Sequence, residues 1–203
     1  MATSILILGL LGGWLSASEP DLLFREDWKE SPAEIPLGQG HVANPELKVS
    51  IHGPGQFGTK KSHHDWIEND PYYVWSGACP GNWAVSLRLI DRTIDLTGQT
   101  KIRWRSKQSG FRHLRLIVRL ADDTWLVSDK SAGETSDWTV QEFSIQDIQW
   151  RELDISRVSE KKRVTGPNLT QVKEIGFTDL MPGGASDASS RLDWIEVYAK
   201  VTE

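Results

Sequence analysis

Between Lys101 and Asp129 the chain reads KIRWRSKQSGFRHLRLIVRLADDTWLVSD, in which apolar and charged side chains alternate with a period of two. Such alternation marks strands that bury one face and leave the other to solvent. Ile102 and Trp104 fall on one side, with Arg103, Arg105 and Lys107 on the other. The QSGFR segment turns the chain. Leu114, Leu116, Val118 and Leu120 then form an apolar row opposite His113, Arg115, Ile117 and Arg119. If ADDT closes a tight hairpin, Leu120 lies opposite Trp125 and Arg119 opposite Leu126, which predicts a core position for Trp125. One residue more or less in that loop reverses the assignment.

The same period recurs in DWTVQEFSI, QVKEIGFTDL and RLDWIEVYAK, with turn-forming residues at short intervals and little helical periodicity. This pattern predicts an all-β chain, an antiparallel β-sandwich. The polar stretch from Ser156 to Asn168 reads as an exposed excursion. A chain of 203 residues with 38% hydrophobic residues fits one domain with a real core.

An uncharged apolar run from Ile5 to Leu15 precedes Ser16, Ala17 and Ser18, small residues suited to signal-peptidase cleavage. Residues 1–18 therefore read as a signal peptide and 19–203 as the sandwich domain, in a secreted or periplasmic protein. The run is shorter than the ~20 residues that span a bilayer, so no stable membrane insertion is expected. Cys79 is the only cysteine, which excludes an intramolecular disulfide. A net charge of -5 argues against general nucleic-acid affinity, since that requires a basic footprint.

Two features carry chemistry. Lys60 to Trp83, KKSHHDWIENDPYYVWSGACPGNW, gathers histidines, tyrosines and tryptophans among Gly and Pro, as recognition loops do. His63 or His64 with Tyr72 or Tyr73 are the acid and base groups a lyase or hydrolase would use. A metal reading takes His63, His64 and Asp65. Trp75 and Trp83 are candidate platforms for sugar rings.

The second feature is the basic face. Arg103 and Arg105 on one strand and Arg115 and Arg119 on the next make a single patch if those strands are neighbours. Guanidinium forks bind carboxylate or sulfate bidentately, which suits an anionic polysaccharide.

The order of LLFREDW, IDLTGQTKIRW, LRLIVRLADDTW and the closing VKEIGFTD and RLDWIEVYA, from Leu22 to Lys200, resembles galactose-binding-like jelly rolls. That sandwich is shared by many carbohydrate-binding modules. The resemblance implies a jelly roll and a polysaccharide or oligosaccharide partner. It also implies a structural calcium (Ca2+) between the first and last strands, held by Glu26 or Asp27 and by Asp193. Asp193 shares parity with Ile195 and Val197, and an inward carboxylate is costly unless paired or metal-bound. Three readings stay open: a secreted carbohydrate-binding protein, a small polysaccharide-degrading enzyme (lyase or glycoside hydrolase), and a structural or adhesive envelope protein.

Overall fold

The computed structural model describes residues 20–184 and 188–202, so the predicted signal segment lies outside the described residues. The strands in chain order are β1 (Leu22–Glu26), β2 (Leu47–His52), β3 (Lys60–Ser62), β4 (Tyr73–Trp75), β5 (Ala84–Leu89), β6 (Thr93–Asp95), β7 (Lys101–Gln108) and β8 (Leu114–Leu120). They continue as β9 (Trp125–Ala132), β10 (Thr139–Ser144), β11 (Trp150–Asp154), β12 (Ser159–Arg163), β13 (Val172–Thr178), β14 (Ser190–Tyr198) and β15 (Lys200–Thr202). Among the described residues there is no α-helix, only three short 3-10 turns.

The strands form the expected antiparallel sandwich. A six-stranded sheet runs β10-β7-β14-β4-β3 with β1 also on β14, and a nine-stranded sheet runs β12-β11-β9-β8-β13-β5-β2 with β6 and β15 at its margin. Their inner faces share one core, in which Ile102, Trp104, Ile195 and Val197 of the first sheet meet Leu114, Leu116, Val118 and Leu120 of the second. The alternation read from the sequence is therefore the alternation of the core.

Three expectations are corrected here. First, β7 and β8 are not neighbours: β7 lies between β10 and β14 in one sheet, and β8 between β9 and β13 in the other. The connection crosses the sandwich because it carries a buried anchor. Arg112 pairs with Asp179 at 3.2 Å and donates to the Pro182 carbonyl at 2.7 Å, with both side chains of the ion pair out of solvent. The arginines of β7 and of β8 thus lie on opposite outer faces and form no single patch.

Second, Arg119 rather than Leu120 pairs with Trp125, because the hairpin closes one residue tighter, through Leu120 and Thr124. Trp125 accordingly lies on the outer face of the nine-stranded sheet. There it packs with Ala84, Ile117, Val127, Leu153 and Val158 in a second apolar cluster. Val158, at the mouth of the β11–β12 hairpin, is fully buried by this contact, the exception in an otherwise exposed excursion.

Third, β14 is irregular between Leu192 and Trp194, which register with Ser106 and Arg105 respectively. This bulge breaks the parity of the strand. Leu192, Ile195 and Val197 face inward, while Asp193 reaches the outer face and Arg105.

Candidate functional site

Strands β3 and β4 form a hairpin whose long connection, residues 63–72, rises over the outer face of the six-stranded sheet. Asp70 locks that loop. One carboxylate oxygen accepts the His64 backbone N–H at 2.8 Å and lies 2.9 Å from the His64 ring Nδ1. Ile67 N–H donates to the His64 carbonyl, and Asp70 N–H to the Ile67 carbonyl. Opposite the loop, the chain entering β10 sets Trp138 edge-on against Tyr73, with centroids 5.2 Å apart, and within 5.6 Å of the Arg105 guanidinium.

Between these walls lies a cleft of about 640 Å³, floored by Arg105 and Lys107 of β7 and Arg191 of β14. Lys107 and Arg191 are directly opposed across the β7–β14 pair. Like charges in that relation repel. Among the described residues neither is paired with a carboxylate; Arg191 reaches only the Ser109 hydroxyl, at 3.4 Å, and Tyr73. Of the three acidic lining residues, Glu68 and Asp137 are exposed on the rim and Asp70 is held by His64. Trp66, 81% exposed, stands edge-on to His64 at 4.9 Å and lines a neighbouring pocket with His63 and Tyr72.

Two groups are shifted by this setting. Burial pushes the Tyr73 hydroxyl up from its ordinary pKa, partly offset by hydrogen bonds with Ser62 and Arg191, so the phenol is neutral near pH 7. Asp193 is pushed up to about 6 by burial, against the opposing attraction of Arg105 at 2.8 Å. Desolvation exceeds the ion pair's gain because Arg105 is itself part-exposed, so water screens its charge.

Of the residues singled out in the sequence, the cleft gathers His64, Tyr73 and Arg105. His63 and Tyr72 are turned away: their rings stack at 4.0 Å, and the Lys61 ammonium sits 4.0 Å from the other side of Tyr72. His63 Nε2 pairs with Asp65 at 3.1 Å, so the two histidines diverge, and no group of three metal-ligating side chains forms among the described residues. Arg103 is spent on Glu142 and Glu196. On the far sheet Arg115 pairs with Glu160, and Arg119 with Glu174 and Asp123.

The platform expectation fails for Trp83, which is 1% exposed and packs in the core against Phe177. Trp75 is half-buried, folded against Gly77 so closely that a Cβ there would stand 1.9 Å from its ring. The carboxylates of the implied calcium site all have protein partners. Glu26 accepts from the backbone N–H groups of Trp28, Ala43 and Asn44. Asp27 is held by Arg25 and Asp193 by Arg105. Placed so, the three do not fit a calcium site, since a cation would have to displace two guanidinium groups and several backbone donors.

Sequence reading missed Asp70, Trp138 and Arg191 as site residues. Asp70 follows His64 by six residues within a Pro-bounded loop, a spacing that carries no recognisable signal. Trp138 and Arg191 reach the cleft only through the pairing of β7 with β10 and β14.

No protein-family model matches this chain, and no curated protein matches it either. Among solved structures it is similar to a family 29 carbohydrate-binding module from Piromyces equi, at 16% identity over 86% of this chain and 90% of that one, with a TM-score of 0.45. It is also similar to the family 11 module CtCBM11, at 15% identity over 93% and 99% of the two chains, with a TM-score of 0.46. A third is the family 11 module from Clostridium thermocellum in complex with a β-1,3-1,4-mixed-linked tetrasaccharide, at 15% identity over 83% and 96%, with a TM-score of 0.40.

Proposed function

We propose that the cleft on the six-stranded sheet binds carbohydrate, and specifically the acidic residues of an anionic polysaccharide. The observation that carries this reading is the opposed Lys107 and Arg191, half-buried beside Arg105 without a carboxylate partner among the described residues. An incoming uronate carboxylate relieves their repulsion and gains charge-assisted hydrogen bonds. Trp138 offers its ring at the wall, and the rim carboxylates of Glu68 and Asp137 accept from sugar hydroxyls. Export through residues 1–18, proposed together with this reading, would bring the protein to where such polymers occur.

The test is affinity electrophoresis and calorimetry with polygalacturonate, alginate and hyaluronan beside a neutral mixed-linkage glucan. At least one acidic polymer binds more tightly than the glucan, and that affinity falls as salt rises. Removing Lys107 and Arg191 together (K107A/R191A) abolishes the preference. Equal binding of neutral and acidic polymers, or an unchanged double variant, refutes the assignment.

A further inference from the structure

We propose that the cleft is also catalytic, with His64 as general base and Tyr73 as general acid in the β-elimination of a uronate-containing polysaccharide. This rests on the binding reading above and adds a reaction to it.

The orientation of His64 supports it first. Asp70 can only accept at its ionised oxygen, and that oxygen lies 2.9 Å from the ring Nδ1, so Nδ1 carries the proton and donates. The neutral ring then keeps its lone pair on Nε2, which has no partner among the described residues and belongs to a side chain 30% exposed at the cleft. A carboxylate that fixes tautomer and ring direction and leaves the other nitrogen unbonded is the arrangement of a general base. The turns at Ile67 and Asp70 hold the base still.

The second support is what surrounds the base. Tyr73 places its hydroxyl 3.4 Å from His64 Nδ1, on the Asp70 side of the ring, and the phenol is a proton donor at neutral pH because burial disfavours its anion. The cationic floor of Arg105, Lys107 and Arg191 supplies what proton removal next to a carboxylate needs. A bound carboxylate must be neutralised before the carbon beside it becomes acidic enough to lose its proton.

The atoms balance without a co-reactant. Nε2 of His64 takes the proton on C5 of the uronate, and that electron pair becomes the second bond between C4 and C5. The bond from C4 to the glycosidic oxygen breaks, and the oxygen takes its proton from the Tyr73 hydroxyl. Solvent then returns a proton to tyrosinate and removes one from imidazolium. The products are a new reducing end and an unsaturated uronate.

The rival account is that Asp70 and His64 merely close the loop. His64→Asn separates the two, since its amide nitrogen takes the place of Nδ1 and still donates to Asp70 but offers no basic nitrogen to the cleft. The assay uses the full chain with polygalacturonate, alginate and hyaluronan, following ultraviolet absorbance of the conjugated double bond alongside binding by affinity electrophoresis. Wild type is expected to bind and to release unsaturated product from at least one polymer. H64N and Y73F are expected to keep binding and melting temperature and to lose turnover by on the order of a hundredfold to ten-thousandfold. R115A, on the opposite sheet, keeps full turnover. Binding without unsaturated product overturns the lyase assignment and leaves the binding reading intact, whereas full turnover in H64N overturns His64 as the base. Absence of binding to all three polymers overturns both.

Discussion

Arg105 is shared between the cleft and a buried carboxylate, and replacing Asp193 with Asn measures the balance. The Asp193 carboxyl titrates near 6 in the folded chain against an ordinary 3.8. Between those values the folded protein holds a proton that the unfolded chain has lost, so stability falls as pH rises across the window and levels off above it. About two pKa units correspond to roughly 3 kcal/mol of disfavoured charge. Asn resembles the protonated acid in shape and still accepts from Arg105. D193N is therefore expected to match wild type near pH 4 and to exceed its stability by about 1–3 kcal/mol near pH 8.

The same substitution changes binding. With Asp193 neutral, the Arg105 guanidinium keeps its hydrogen bond but its charge is no longer compensated and is available to the ligand. Wild-type affinity for an acidic polymer should rise as pH falls through about 6, and D193N should bind tightly on both sides of that value. Chemical denaturation and calorimetry at the two pH values read both effects. A D193N protein less stable than wild type by more than about 1 kcal/mol near pH 8, or an equal offset at both pH values, refutes this account of the pair.

Four further outcomes are expected. Arg112→Met strands the Asp179 carboxylate in the interior and costs on the order of 3–5 kcal/mol, read by denaturant unfolding. Trp138→Ala weakens binding of the acidic polymer by about 0.5–1.5 kcal/mol with little change in stability, whereas Trp83→Ala costs about 3–5 kcal/mol of stability through its cavity. Arg115→Ala leaves affinity for every acidic polymer unchanged, because its guanidinium is held by Glu160 and the Ser128 carbonyl on the other face. Mass spectrometry of protein from its native host finds a mature N-terminus near Glu19, and an intact Met1 in the cytoplasm refutes export.

The core was legible because strand parity is local: Ile102, Trp104 and the row from Leu114 to Leu120 needed only the period of two. Pairing was not legible, because it depends on contacts distant in sequence. Nothing in SGFR shows that Arg112 will find Asp179 across 67 residues and carry the chain to the opposite sheet, so two basic stripes read as one. A single residue in the ADDT hairpin moved Trp125 from the core to the outer cluster. The bulge at Asp193 reversed the parity that had sent its carboxylate inward. The same limit applies to the site. His64 and Tyr73 stood out as residue types in one stretch, but the ten-residue loop between β3 and β4, closed by Asp70, was needed to set the two histidines apart.

The basic stripe of β7 changes its role along the strand. Arg103 lies opposite Glu142 on β10 and Glu196 on β14, both carboxylates within 4 Å, so its charge is consumed by the sheet. Two residues on, Arg105 has Val140 on one side and meets an acid on the other only because the bulge delivers Asp193, whose carboxyl gives up its charge near pH 6. Two further on, Lys107 is opposed by another cation, Arg191, at the end of β7 that lies beyond the last register pair with β10. A solvated outer face gains from mixing signs at each step, as the Arg103 end does. Accumulating unpaired charge at the other end works against folding, and it occurs where the 63–72 loop and Trp138 wall the surface into a cavity. Cationic repulsion left in place beside a cavity is relieved by an anion that enters it, and that is the ground on which the alternation seen in the sequence is proposed to serve an acidic ligand.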